Sequence, residues 1–281
     1  MAPHPDPLRK NRKVVLITGC SSGIGAALAE EFHRLGHVVY ATARKADDLA
    51  PLAEKGMRTL VLDITEPAGI DAAIVTIGAE QNGLDILINN AGFSVMGPMI
   101  EVGSDDLRRQ FETNVIGPMA MVRAALPLLE RRKGCVANVG SIIGLATLPF
   151  RGAYSASKAA LHALSDALRM ELKPFGIRVI SVQPGGVRSR IADNATTALA
   201  PVSRYASILD ALERDRFISQ QGAMPTEIFA RCLAERLLQP QTPAVIRIGS
   251  NSTLLPTLKR ILPLSWLDRM LAHKFGLDRL P

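Results

Sequence analysis

Aromatic side chains are scarce in this sequence, at 4% of residues with a single tryptophan, Trp266. The core must therefore be built from Val, Ile, Leu and Ala, within an apolar fraction of 47% and a charged fraction of 21% that suit a folded globular protein. No uninterrupted apolar run approaches the roughly 20 residues of a membrane-spanning helix. The three cysteines, Cys20, Cys135 and Cys232, are an odd and unclustered set. They fit a reducing cytoplasm and give no metal-ligand spacing, so no metal is expected. Repeats, low-complexity linkers and a clear domain boundary are also lacking.

A basic stripe across the folded body is missing too. The net charge of +7 is held at the ends: residues 1–13 carry four basic groups and one acid, residues 247–281 carry six and two, and the stretch between balances at zero. Nucleic acid is therefore not the expected partner. Basic ends on a neutral body suit attraction to an acidic surface such as a membrane, giving a protein expected to be cytoplasmic with membrane contact as an option. Residues 1–12, Pro-rich and basic without the apolar stretch of a signal peptide, read as a disordered lead-in.

What is present is an alternation of short β-branched runs with longer amphipathic segments. Strands are expected at 13–19, 37–44, 57–65, 84–92, 134–141, 176–186 and 243–250, with helices between them. Continuous apolar strands separated by helices predict an α/β fold: a doubly wound sheet of seven mostly parallel strands, ordered 3-2-1-4-5-6-7, with helices on both faces. One domain over 13–250 and an amphipathic basic helical extension over 251–281 are expected. The long helix from Ser104 to about Lys133 is expected to start on the Ser104 side chain and to kink at Gly117-Pro118.

After the first strand comes TGCSSGIG, with Gly19, Ser21, Ser22, Gly23, Ile24 and Gly25. Its spacing is Gly-x3-Gly-x-Gly. Set between a strand and a helix, it allows a tight turn and offers free N–H groups to a phosphate. The second strand ends in YATARK, where Arg44 takes the place of the acid that would grip the ribose 2′-hydroxyl of NAD. A guanidinium there pairs with a 2′-phosphate, so NADP(H) is expected. Farther on, Tyr154 and Lys158 stand four apart in YSASK, on one helical face. An ammonium beside a phenol favours the phenolate, so the Tyr154 pKa is expected below its ordinary value of about 10.

Together these motifs, over roughly 13–190, resemble the short-chain dehydrogenase/reductase family in its single-domain branch. LDIT is similar to the position where Asp63 meets the adenine amine and Ile64 packs on the ring. NNAG resembles the motif that stabilises the sheet and lines the cofactor through Asn90, Ala91 and Gly92. PGGVRS is similar to the loop that contacts the nicotinamide through Pro184, Gly185 and Val187, with Ser189 where the family often has Thr. The resemblance implies a catalytic set of Asn114, Ser141, Tyr154 and Lys158. In it Tyr154 gives a proton to a carbonyl oxygen, Ser141 orients that oxygen, Lys158 tunes the phenol and binds the ribose, and Asn114 holds a relay water. The small residues between Tyr154 and Lys158 would leave room for that ribose. Relatives commonly pair through the helices at 104–133 and 153–174, so a homodimer or homotetramer is expected.

The loops beyond the strand ends supply Phe93, Met96, Leu145, Leu148 and Phe150, an apolar wall for a hydrophobic carbonyl or alcohol substrate. The NADP-preferring steroid, retinoid and acyl-ketone reductases of the family are the resembling members. The same residues would serve the reverse oxidation. A non-catalytic NADP-binding regulator is the competing reading, opposed by the intact Asn-Ser-Tyr-Lys set. In the tail, Leu254, Leu255, Leu258, Ile261 and Leu262, then Trp266, Leu267, Met270, Leu271 and Phe275, follow helical spacing beside Lys259, Arg260, Arg269 and Lys274. Such a stripe suits a membrane surface, a cap on the substrate pocket or a partner subunit.

Overall fold

The computed structural model describes residues 12–189, 191, 195–197, 203–208 and 222–280. Most of the expected lead-in, and much of the stretch between the expected strands at 176–186 and 243–250, lie outside the described residues.

Short runs of Val, Ile and Leu form the strands. They are β1 (Val14–Ile17), β2 (Val38–Ala43), β3 (Arg58–Val61), β4 (Ile86–Asn89), β5 (Val95–Met96), β6 (Cys135–Val139), β7 (Arg178–Pro184), β8 (Thr196–Thr197) and β9 (Val245–Ile248). Seven of them make one sheet in the order β3-β2-β1-β4-β6-β7-β9. With the two-residue strands set aside this is the expected order, and every pairing in it is parallel. The short β5 and β8 form a separate parallel pair that sequence periodicity did not show.

Alternation along each strand sorts side chains between two cores. Val15 and Ile17 of β1, with Ile86 and Ile88 of β4, face the cluster under α1 (Gly23–Arg34), α2 (Ala50–Glu54) and the helix Thr226–Leu238. Val14, Leu16 and Leu87 face the opposite cluster under α3 (Pro67–Gln81), α5 (Gly117–Arg132) and α6 (Gly152–Glu171). Fully buried Leu and Ile side chains of this kind each stabilise the fold by about 1.5–3 kcal/mol. The helix Thr226–Leu238 is α7 below.

The helix expected over 104–133 is two helices joined by a π-helical turn. After α4 (Ser104–Phe111) the turn spans Glu112–Ile116, and α5 continues from Gly117. Gly103, not Ser104, is the N-cap, and no side chain caps this terminus. At Gly117 a Cβ would lie 2.9 Å from the Ile64 carbonyl oxygen and from its Cδ1. The glycine lets α5 approach the loop after β3, and the irregularity falls one turn earlier, at Asn114. π-turns of this kind re-aim a side chain out of the regular ladder.

The tail folds as α8 (Leu254–Ile261) and α9 (Leu264–Phe275), separated by Leu262 and Pro263 in extended conformation. Leu267, Leu271 and Phe275 of α9 are buried with Phe150 and Ile208 in a third cluster.

Candidate active site

Strand ends bring the sequence motifs together around one cavity of about 1590 Å³. At the end of β1 the backbone turns through Gly19, φ +73°, where a Cβ would sit 2.8 Å from the Ala91 Cα. The Asn90 amide donates to the carbonyls of Thr18 (2.9 Å) and Gly19 (3.1 Å), and the Thr18 hydroxyl accepts from the Asn90 and Ala91 N–H groups. The NNAG stretch thus staples the glycine turn to the end of β4. Ser22 is the N-cap of α1, yet its hydroxyl caps no N–H, so the helix N-terminus stays open toward an anion.

Of the expected cofactor residues, Gly19, Ser21, Ser22, Gly23, Ile24, Arg44, Asp63, Ile64, Asn90, Ala91, Gly92, Tyr154, Lys158, Pro184, Gly185, Val187 and Ser189 line the cavity. Gly25 does not. It acts from behind, because a Cβ there would lie 2.2 Å from the Gly19 carbonyl oxygen. Asp63 commits Oδ1 to the Thr65 N–H and hydroxyl. Lys45, beside Arg44, also lines the cavity and was missed in the sequence, although ARK places two cations in succession.

Ser141, Tyr154 and Lys158 line the same cavity. Lys158 lies one helical turn after Tyr154, with Nζ 5.7 Å from the ring centroid, and donates to the Val139 carbonyl at 2.8 Å. The Ser141 hydroxyl accepts from the Ile143 N–H at 3.3 Å. Burial pushes the Tyr154 phenol up to about 12, while its hydrogen bond with Ser141 and the Arg151 charge pull the other way. This is opposite to the expected depression by Lys158: the ammonium is turned to the Val139 carbonyl, and loss of water on burial is the largest influence on the phenol. Burial also pushes the Lys158 ammonium down to about 8.

Asn114 is wholly buried in the π-turn and does not line the cavity. Its Nδ2 donates to the Phe93 carbonyl and the Ser157 hydroxyl, both at 3.1 Å, and its Oδ1 accepts from the Phe93 N–H at 3.2 Å. A Cβ on Gly92 would lie 3.0 Å from Asn114 Oδ1 and 3.6 Å from Lys158 Nζ, so both groups face one point beside Gly92. Ser155 and Ser157 are buried, and Ser157 takes the Asn114 amide. Ser157 thereby packs on the π-turn.

His162, unremarked in the sequence, supports Ser141. Its Nε2 accepts from the Ser141 N–H at 3.4 Å, and a Cβ on Gly140 would lie 2.1 Å from that nitrogen. Burial, then Lys158, pushes its pKa down to about 4.

The expected substrate wall divides. Phe93 and Leu148 line the cavity; Met96, Leu145 and Phe150 do not. Met96 is buried in β5, and the Leu145 carbonyl accepts from the Lys259 ammonium of α8 at 2.8 Å. Phe150 has φ +61°, rare for a bulky residue, and packs edge-on against Tyr205 (5.6 Å) and beside Phe275 (6.2 Å). In their place the tail supplies Leu254, Leu255, Leu258, Met270 and Leu271. No group of His, Cys, Asp and Glu suited to a metal ion occurs among the described residues.

A family profile described as short chain dehydrogenase matches residues 13–200. The short-chain dehydrogenase ptmH of Penicillium ochrochloron is 44% identical over 200 residues, 70% of this chain and 73% of that protein. The NADPH-dependent 1-acyldihydroxyacetone phosphate reductase of Saccharomyces cerevisiae is 30% identical over 276 residues, 96% of this chain and 93% of its own. Among solved structures, a short-chain dehydrogenase from Streptomyces avermitilis superposes with a TM-score of 0.81 at 31% identity, covering 96% of this chain and 98% of its own.

Proposed function

The chain belongs to the short-chain dehydrogenase family, and from that premise we propose that it reduces a ketone or aldehyde on a hydrophobic, lipid-like molecule through Ser141, Tyr154 and Lys158, assisted by Asn114. It is an oxidoreductase that uses NADP(H). The residues present fit that cofactor. Gly19 and Gly92 line the cavity without side chains, the N-terminus of α1 is open to a pyrophosphate, and Arg44 and Lys45 would hold a 2′-phosphate. When bound, the nicotinamide supplies the hydride.

The observation that carries this reading is that Ser141, Tyr154 and Lys158 line one cavity with the glycine turn. With its pKa pushed up to about 12, the Tyr154 phenol holds its proton at neutral pH and serves as the donor to a carbonyl oxygen. Ser141 would orient that oxygen through its hydroxyl. Lys158, pushed down to about 8, stands near neutral pH and can return a proton to the phenol. Asn114 holds the Phe93 backbone and, across from Gly92, shares with Lys158 the point where a relay water would sit. The substrate reading rests on Phe93, Leu148, Leu254, Leu255 and Leu258 along the cavity, and on the acyl-bearing ketone in the name of the yeast relative.

The test is NADPH oxidation against ketosteroids, retinal and long-chain acyl ketones, with Tyr154→Phe as the control. Turnover should fall by about 10²–10⁴ in that variant while NADPH binding persists. Unchanged turnover would remove Tyr154 from the chemistry, and NADPH binding without turnover of any carbonyl would favour a regulator.

A further inference from the structure

We propose that the joint between α8 and α9 docks the protein on an anionic phospholipid surface, so that substrate reaches the cavity from the lipid. The docking stands on its own observations; the delivery of substrate rests on the lipid-like reading above.

At this joint Ile261 is 73% exposed, Leu264 66% and Trp266 65%. On the same helix Leu267, Leu271 and Phe275 are almost fully buried against Phe150 and Ile208. The tail therefore already has its packed face, and that face anchors it to the body. The three exposed side chains are apolar surface beyond what packing uses, gathered within six residues of sequence around Pro263.

The surroundings select the partner. Arg260 and Arg269 flank the apolar joint and are exposed, with Asp268 the one acid between residues 254 and 275. A tryptophan with one polar edge, aliphatic neighbours and flanking cations are what a headgroup layer takes up. Neither helix, at 8 and 12 residues, approaches the length needed to cross a bilayer, which fits a surface contact. A second copy of the chain fits less well. A two-fold contact through this joint would bring Arg260 and Arg269 of both copies into one interface.

The same two helices reach the cavity. Leu254, Leu255 and Leu258 of α8 and Met270 of α9 line it. A lipid surface held at the joint thus touches the element that forms one wall of the binding space.

The experiment is co-sedimentation of the full chain, without substrate, with phosphatidylcholine vesicles and with vesicles that also contain phosphatidylglycerol. The protein should pellet with the anionic vesicles and be released by salt. Because Trp266 is the chain's one tryptophan, its emission should shift to the blue on binding. An Ile261→Ser, Leu264→Ser, Trp266→Ser variant should lose at least about tenfold in partition, with turnover of a water-soluble short carbonyl unchanged. No binding to anionic vesicles, an unshifted Trp266, or a triple variant that pellets like the parent would overturn the proposal. So would an oligomer that the triple variant dissociates, which would assign the joint to a second copy. Vesicle binding by a protein that turns over no carbonyl would refute the reductase reading and leave the docking standing.

Discussion

The part of the cavity lined by the glycine turn is shaped by main chain, whereas the part lined by the tail is shaped by side chains from distant segments. Around the turn, Gly19, Gly25 and Gly92 set distances by having no Cβ, and Asn90 clamps carbonyls of β1. Around the tail, Leu254, Leu255, Leu258 and Met270 are brought in by α8 and α9, which are held by Lys259 on the Leu145 carbonyl and by Phe275 beside Phe150. The first arrangement tolerates almost no substitution, because backbone atoms cannot move aside. The second can change its apolar residues and keep the fold, which is how one chemistry can be offered different substrates.

Four measurements would break or sharpen this contrast, from the largest expected effect to the smallest. Gly25→Ala puts a Cβ 2.2 Å from the Gly19 carbonyl oxygen. It should destabilise the protein by about 3 kcal/mol and weaken NADPH binding; calorimetry that finds an unchanged Tm would show that the turn is not rigid.

His162, behind Ser141, gives a pH test. Its folded pKa of about 4 lies below the ordinary value of about 6.5, so between those values the unfolded chain binds a proton that the folded chain does not. The stability it contributes is complete above pH of about 6.5 and is lost as the pH falls toward 4, by roughly 3 kcal/mol. Lys158 and Arg247 deepen that depression and Asp166 opposes it. In His162→Gln the loss between those values should be smaller by about that amount; denaturation curves of equal pH dependence would refute the assignment.

On the cofactor side, Arg44→Asp should shift the NADPH-to-NADH ratio of kcat/KM toward NADH by about tenfold to a hundredfold. An unshifted ratio would transfer cofactor choice to Lys45. On the tail side, Leu255→Trp should raise KM for a long-chain carbonyl roughly tenfold and leave a short one unaffected. Equal effects on both substrates would mean that the tail wall does not select by size.

Much of the candidate site was legible in the sequence because its signals are local. Tyr154 and Lys158 are four apart on a helix, and TGCSSGIG joins a strand to a helix. Arg44 follows β2, and Tyr154, Lys158, Arg44 and, from the turn, Gly19, Ser21, Ser22, Gly23 and Ile24 line the cavity. The π-turn was not legible, since nothing in ETNVI distinguishes five π-helical residues from a continuous helix. Asn114 was identified as a residue, but its bonds to Phe93 and Ser157 depend on that turn. Met96, Leu145 and Phe150 were assigned to the wall because they are apolar residues in the right loops. Composition cannot tell a cavity wall from a core, and Phe150 turns out to serve the tail cluster.

By itself the sequence determined the doubly wound sheet, the glycine turn and the Tyr-Lys pair, because periods of 2 and 3.6 and a glycine turn are written within a few neighbouring residues. Tertiary structure alone decided three things: that the Tyr154 phenol is pushed up rather than down, that His162 stands behind Ser141, and that the tail walls the cavity while presenting Ile261, Leu264 and Trp266 outward. Each depends on burial or on contact between distant segments, as when Lys259 meets Leu145 across 114 residues of chain, and no local spacing encodes it.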